Sequence, residues 1–362
     1  IDPVSNGQGP ATTALFKSMA ANGNGKYFAV DGGDAGNIST ALNQIRQEVQ
    51  AVNSVFASST LPVSVNVRGT HLNQVYIGVF RPDASKAPQW FGNLKMYKLG
   101  LDAATSTLFL ADADGSPAEN PGSGFVTPTA RSFWTSPSTF WGYRAATQNG
   151  AGGVSDSPDG ELVEKGGVAQ QLRIEYAASQ TSRELFTCTD GSGGYCASGD
   201  SLSLSPFDTG NADISVAALG AANATERDNL IDWVRGEDQF DENADTQLTD
   251  IRASVHGDVL HSRPAVINYG RNGPTDENDV YAFYGANDGV FRAVKGGTGT
   301  NAGDEVWGFV PKEFFGKLKR LRDDAPIISS AQKKPYFVDG TVTAYEEDIN
   351  GDGALVAADG DK

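Results

Sequence analysis

Residues Asp348 to Asp359 combine ligating side chains with loop spacing. Asp348, Asn350 and Asp352 stand at positions 1, 3 and 5, Gly353 at 6, Leu355 at 8 and Asp359 at 12. In an EF-hand-type loop alternate side chains of a tight turn converge on one cation, the glycine permits the turn, and the carbonyl at position 7, here Ala354, adds a ligand. Every donor is a hard oxygen and no His or Cys is near, which suits Ca2+ better than zinc. The expected metal ligands are therefore Asp348, Asn350, Asp352, Ala354 and Asp359, and the alternative is an acidic, glycine-rich hairpin without a metal. Asp359 stands where Glu is usual, so its bidentate reach is shorter. The flank Thr341 to Tyr345 is β-like, which implies a loop between strands. Asp112-Ala113-Asp114-Gly115 starts in the same way, but Pro117 follows without a later ligand, and it reads as a turn.

Cys188 and Cys196 are the only cysteines. Zinc would need two further soft ligands and a redox pair usually encloses two residues, so the pair reads as a structural disulfide, which implies an oxidising compartment. His256 and His261 flank Asp258 in a β-rich segment without an identifiable nucleophile, and there is no Gly-x-Ser-x-Gly elbow, phosphate loop or dinucleotide fingerprint. The residues thus point to binding and not to enzymatic turnover. Phe133, Trp134, Phe140 and Trp141 lie in a Pro/Gly/Ser-rich stretch, where they either pin a long loop to a sheet or form a sugar-stacking platform.

The elements that must position these groups are short. A chain of 362 residues predicts two modules or one large β architecture. Forty-three Gly and 16 Pro point to many turns, while 18 Phe, 11 Tyr and 5 Trp suffice for a core. The net charge of −17 repels phosphate backbones and anionic lipid heads, so nucleic acid is excluded as a partner. No apolar run reaches the ~18 residues of a transmembrane segment. The start at Ile1-Asp2-Pro3 and the stop after a polar loop read as an internal piece of a longer protein.

Ile38, Leu42, Ile45, Val49, Val52 and Phe56 form one apolar stripe of a helix capped by Asn37, preceded by a strand at Lys26 to Val30; this is the tail of an α/β domain. From Leu61 the period changes to two. Strands are predicted at 63–67, 74–80, 93–98 and 107–111. A capping box at Thr225 to Asp228 predicts a helix over 226–235 closed by Gly236, and a second helix starts at Pro311. That second helix buries Phe314, Phe315, Leu318 and Leu321. Its basic face, Lys317, Lys319, Arg320 and Arg322, is either solvated or a docking patch for an acidic partner. Residues 264–311 hold four β-patterned runs joined by turns, the rhythm of one propeller blade, and Pro335 to Gly340 reads as the first strand of the next.

Several of these runs resemble the PilC/PilY family of type IV pilus tip-associated proteins: Ser155 to Ala169 (SDSPDGELVEKGGVA), Ser254 to Pro264 (SVHGDVLHSRP), Tyr284 to Gly289 (YGANDG) and Trp307 to Pro311 (WGFVP), with Phe80 to Asp83 and Trp90 to Asn93 before them. Four motifs in this order make the resemblance specific, and with the two earlier runs it covers most of residues 60 to 345. The resemblance implies that residues 1–60 are the C-terminal part of a von Willebrand A-like α/β domain lacking its Asp-x-Ser-x-Ser motif. It implies that 61–362 is a mainly β, quinoprotein-like region with the first blades of an incomplete β-propeller. It also implies a bacterial, extracellular protein at the pilus tip that works with minor pilins and contacts host or abiotic surfaces, with calcium tuning pilus assembly, retraction and adhesion. A compact version of the family's loop has an acid at position nine, where this chain has Val356. Two alternatives remain at this stage: a quinoprotein-type dehydrogenase, which would need adjacent cysteines, and a carbohydrate-binding module built on the four aromatics.

Overall fold

The computed structural model describes residues 2–3, 10–22, 27, 29–30, 56–60, 73–120, 125–188, 204–273 and 276–362. Two units separate along the chain, Ile1–Ser54 and Val55–Lys362. In the first, β1 (Asp2–Pro3) and β2 (Ala29–Val30) pair in parallel, with helix α1 (Pro10–Asn22) between them in sequence. Pro10 opens α1, where its missing N–H has no helical acceptor to lose. The stripe from Ile38 to Val52, the strand expected at 63–67 and Cys196 lie outside the described residues. Phe56, assigned to that stripe from the sequence, is instead the first residue of a strand in the second unit.

The second unit is mainly β. Its first sheet is an antiparallel meander of β3 (Phe56–Thr60), β4 (Gln74–Arg81), β5 (Phe91–Asp102) and β6 (Thr107–Ala111). Strand alternation gives β4 two buried faces. Tyr76 turns to one core with Leu94 and Met96, and Val75, Ile77 and Val79 turn to another with Tyr97, Ala118, Ala130 and Val163. The irregular segment 112–166 therefore roofs the outer face of this sheet.

The remaining elements are α2 (Gly167–Glu175), β7 (Leu185–Cys188), β8 (Leu204–Pro206), α3 (Ala224–Arg235), β9 (Ala265–Asn268), β10 (Val280–Gly285), β11 (Phe291–Lys295), β12 (Glu305–Phe309) and α4 (Phe315–Arg322). The four runs in 264–311 form an antiparallel meander, β9 to β12, in sequence order. The sheet does not stop at four. β12 pairs in parallel with β7, Gly308 opposite Leu185, and β7 carries β8, giving the six-stranded order β8-β7-β12-β11-β10-β9. Neither sheet closes into a barrel among the described residues.

The two sheets share a core in which Tyr76, Leu94 and Met96 meet Val168 and Leu172 of α2 and Val280, Ala282 and Tyr284 of β10. A second core packs α3 and α4 on the larger sheet through Leu230, Trp233, Val290, Phe315 and Leu318. Burying side chains of this size contributes roughly 1.5–3 kcal/mol each.

Three local expectations are corrected. The N-cap of α3 is Asn223, whose Oδ1 accepts from Glu226 N at 2.9 Å, while the Glu226 carboxylate accepts from Ala222 N; the cap lies two residues before Thr225. Pro311 opens a 3-10 turn, Lys312–Phe314, that leads into α4, and Phe314 is only half-buried. Residues 335–345 form no strand, because their polar groups bond to side chains and loops and not to a neighbouring ladder.

Candidate functional site

The segment 347–362 is a lobe closed on itself. Glu347 and Lys362 exchange backbone hydrogen bonds of 2.6 and 3.0 Å. Asp348 accepts from Gly351 N at 2.7 Å and Gly353 N at 2.8 Å, Asn350 Oδ1 from Asp352 N at 3.0 Å, and Asp352 from Ala354 N at 2.8 Å. Glycines at positive φ, Gly351 at 71° and Gly353 at 86°, permit these successive turns. The lobe meets the larger sheet at the end of β9, where Leu355 N donates to Tyr269 O at 2.6 Å. Gly270, at φ 64°, lies so close that a Cβ there would stand 2.4 Å from the Gly353 carbonyl oxygen.

Of the five residues proposed as ligands, three side chains converge: Asn350 Nδ2 is 3.1 Å from Asp352 Oδ2 and 3.4 Å from Asp359 Oδ2. Asp348 turns its oxygens to backbone N–H groups. Among the described residues no group of three or more His, Cys, Asp or Glu side chains gathers as a metal cluster. The donor set nonetheless fits calcium in kind, since each oxygen that accepts one N–H retains a second lone pair. Asp361 was missed by the sequence reading. Its carboxylate bridges Ile349 N and Val356 N, both at 2.9 Å, and so pins the two ends of the loop together. It lies beyond the twelve-residue template, which is why spacing alone did not reveal it. The flanks are irregular and not β-strands.

The remaining chemistry-bearing residues serve the fold. His256 is buried between the Gly257 carbonyl, 2.8 Å from Nδ1, and the Tyr284 hydroxyl, 2.7 Å from Nε2. Burial, with the charge of Arg292, pushes its pKa down to about 3, so the ring is neutral. Asp258 pairs with Lys334 at 2.8 Å and accepts from Asn287 Nδ2 at 2.7 Å. Burial pushes Asp258 up and Lys334 down, each opposed by the other's charge. His261 Nδ1 meets Asp339 Oδ2 at 2.5 Å on the surface.

Asp288 accepts from Gly257 N and binds Arg292, which also holds Glu305; Arg183 closes the chain on Glu305 at 2.7 Å. Burial alone would raise Asp288 and Glu305, but the guanidinium groups outweigh it and hold both below the usual carboxylate range.

Trp141 is fully buried, its ring beneath the Arg144 guanidinium at 4.1 Å, with Nε1 donating to Asp156 at 3.0 Å. Trp134 packs on Tyr76 and donates to the Gly297 carbonyl. The four aromatics therefore do not present a common platform for a sugar. The basic face of α4 is likewise occupied: Lys319 and Arg322 bind Glu226, Arg320 donates to the carbonyls of Pro326 and Lys333, and Lys317 to that of Tyr336. Cys188 is disulfide-bonded at the end of β7.

Comparison with protein-family models, with curated proteins and with solved structures gives no match for this chain. No helix among the described residues is long and apolar enough to cross a membrane.

Proposed function

We propose that the chain acts by binding, as a surface-exposed, calcium-modulated component of a bacterial type IV pilus tip of the PilC/PilY kind, and that its second unit contributes propeller blades. What supports the reading is how the resembling runs engage one another. Gly257 and Asp258 of the second run are held by Asp288 and Asn287 of the third, and Asn287 also accepts from Phe337 N at 2.9 Å and donates to Asp339 at 3.1 Å. This clasp fixes the arm that leads to the acidic lobe. The disulfide suits an oxidising, extracellular compartment.

In this reading Asp348, Asn350, Asp352, the Ala354 carbonyl and Asp359 hold the ion, and Asp361 keeps the loop ends in place. Calcium supplies positive charge among carboxylates of a chain at −17. The protein's part is to carry the ordered lobe, through Leu355 and Tyr269, to β9. Minor pilins and the contacted surface are the proposed partners.

Calorimetric titration of calcium into the wild type and Asp352→Ala tests the metal. Binding to the wild type and a loss of at least tenfold in the variant are expected, with thermal stabilisation of about 2.7 kcal/mol at a hundredfold excess over Kd. Equal heats, or none in either, would remove calcium from the proposal. Deleting the gene in its host should abolish surface pili. Unchanged piliation would remove the pilus assignment.

A further inference from the structure

A cleft of about 490 Å³ lies among the segment after β4, the start of β5, Tyr143-Arg144 and residues 240–254 and 322–324, all within the second unit. Its size is that of a small-molecule site. Three aromatic rings line it, Phe91, Tyr143 and Phe240, together with four carboxyl groups, Asp83, Glu242, Asp323 and Asp324, and two guanidinium groups, Arg144 and Arg322. Phe240 is 58% exposed and also lines a broader neighbouring depression of about 840 Å³.

The cations around the cleft already have partners. Arg144 is bound to Glu164, Arg322 to Glu226 and Asp323, and Lys334 to Asp258 and the Pro88 carbonyl. Glu242 directs both oxygens at Ser254, its hydroxyl at 2.7 Å and its N–H at 2.8 Å. Asp83 and Asp324 differ. Asp83 caps Ser85 and Ala87, and Asp324 accepts only from Gln89 N at 3.2 Å, so neither forms an ion pair among the described residues. Burial, then repulsion from Asp83 and Glu242, pushes Asp324 up to about 6, with Lys334 opposing.

We infer that this cleft binds an organic cation, an alkylammonium or guanidinium group, seated between the exposed ring of Phe240 and the carboxylates of Asp83 and Asp324. A metal ion is the wrong shape for it, since no set of three ligating side chains gathers among the described residues. An anion would face Asp83 and Asp324, while the two lining guanidinium groups, Arg144 and Arg322, are already bound to carboxylates. The Arg144 guanidinium already lies over Phe91 and Tyr143, at 5.6 and 5.9 Å, so an incoming cation gains from the carboxylates and from the exposed ring of Phe240. The group could belong to a free amine or to a lysine side chain of a partner. The inference does not rest on the calcium loop.

The test is calorimetry on the 362-residue chain with 1,5-diaminopentane, an acetylated lysine tripeptide amide, its norleucine counterpart and maltohexaose. Both amines should bind at pH 7.5, the norleucine peptide should not, and affinity should fall at least fivefold at pH 5 as Asp324 takes up a proton. Asp324→Asn should weaken amine binding at least tenfold. Asn keeps the Oδ1 acceptor for Gln89 and tolerates the positive φ of 48° at this position, and a thermal melt verifies its fold. Phe240→Ala, on an exposed ring, should weaken binding threefold or more. A peptide preferred over the diamine identifies a protein partner, and the reverse preference identifies a free amine. No amine binding at millimolar concentration, binding unaffected by both substitutions, or binding of maltohexaose alone would overturn the inference.

Discussion

Arg292 links two buried carboxylates of the larger sheet. Fully buried, it joins Asp288 at the β10–β11 turn to Glu305 at the start of β12, and removing it leaves two buried carboxylates facing one remaining guanidinium, Arg183. Arg292→Met should lower the unfolding free energy by about 3–5 kcal/mol, read as a shift in the denaturant midpoint. Asp232 presents the opposite case. Burial, reinforced by Glu237 and Asp228, pushes this helix carboxyl up to about 6. The folded protein therefore holds its proton more tightly than the unfolded chain does, and stability falls as pH rises from about 4 through 6. Asp232→Asn should stabilise the protein at pH 7 by about 1 kcal/mol after allowance for solvent screening, and the gain should vanish below about pH 4. Melts of both proteins across that range decide the matter; a constant difference would assign the effect to packing instead.

At the scale of elements, the contact between the acidic lobe and β9 turns on one glycine. Gly270 has a φ of 64° and no room for a Cβ beside Gly353. Gly270→Ala should cost about 1–3 kcal/mol and detach the lobe, so that hydrogen exchange at Leu355 N–H quickens at least tenfold while the amides of β10 and β11 remain protected. Unchanged exchange at Leu355 would show that the lobe is held by other contacts. The strands themselves were legible. The period-two runs at 74–80, 93–98 and 107–111 are β4, β5 and β6, and the turn-punctuated stretch 264–311 is β9 to β12. Strands β7 and β8 escaped because runs of four and three residues carry too little alternation to be read. Helix α2 escaped because two glycines open it.

For the whole molecule, Cys188 is disulfide-bonded at the end of β7, the strand that pairs in parallel with β12 and antiparallel with β8. Cys196 is the only other cysteine in the sequence, and reducing a bridge that closes so short a loop should lower stability by about 2–3 kcal/mol in the chain-entropy model. Chemical denaturation with and without reductant measures this, and coincident curves would show that strand pairing alone holds the edge.

Composition and spacing by themselves determined a mainly β chain, the strand runs at 74–80, 93–98, 107–111 and 264–311, and an acidic loop of hard-oxygen side chains, because turn chemistry and two-residue alternation are local properties. Motif resemblance singled out the runs that hold His256, Asp258, Asn287 and Asp288, but not the contacts between them. What those residues do was settled only by burial. Once Asp258 meets Lys334 and Asp288 meets Arg292 in the interior, their charges are spent on the fold. The cleft was invisible for the same reason in reverse: Asp83, Glu242 and Asp324 are far apart in sequence, and only the packing of loop on loop brings them to one cavity. Pairing across distance is a tertiary fact, and it decided that Trp141 is core and that the blade-like meander continues through β7 to β8.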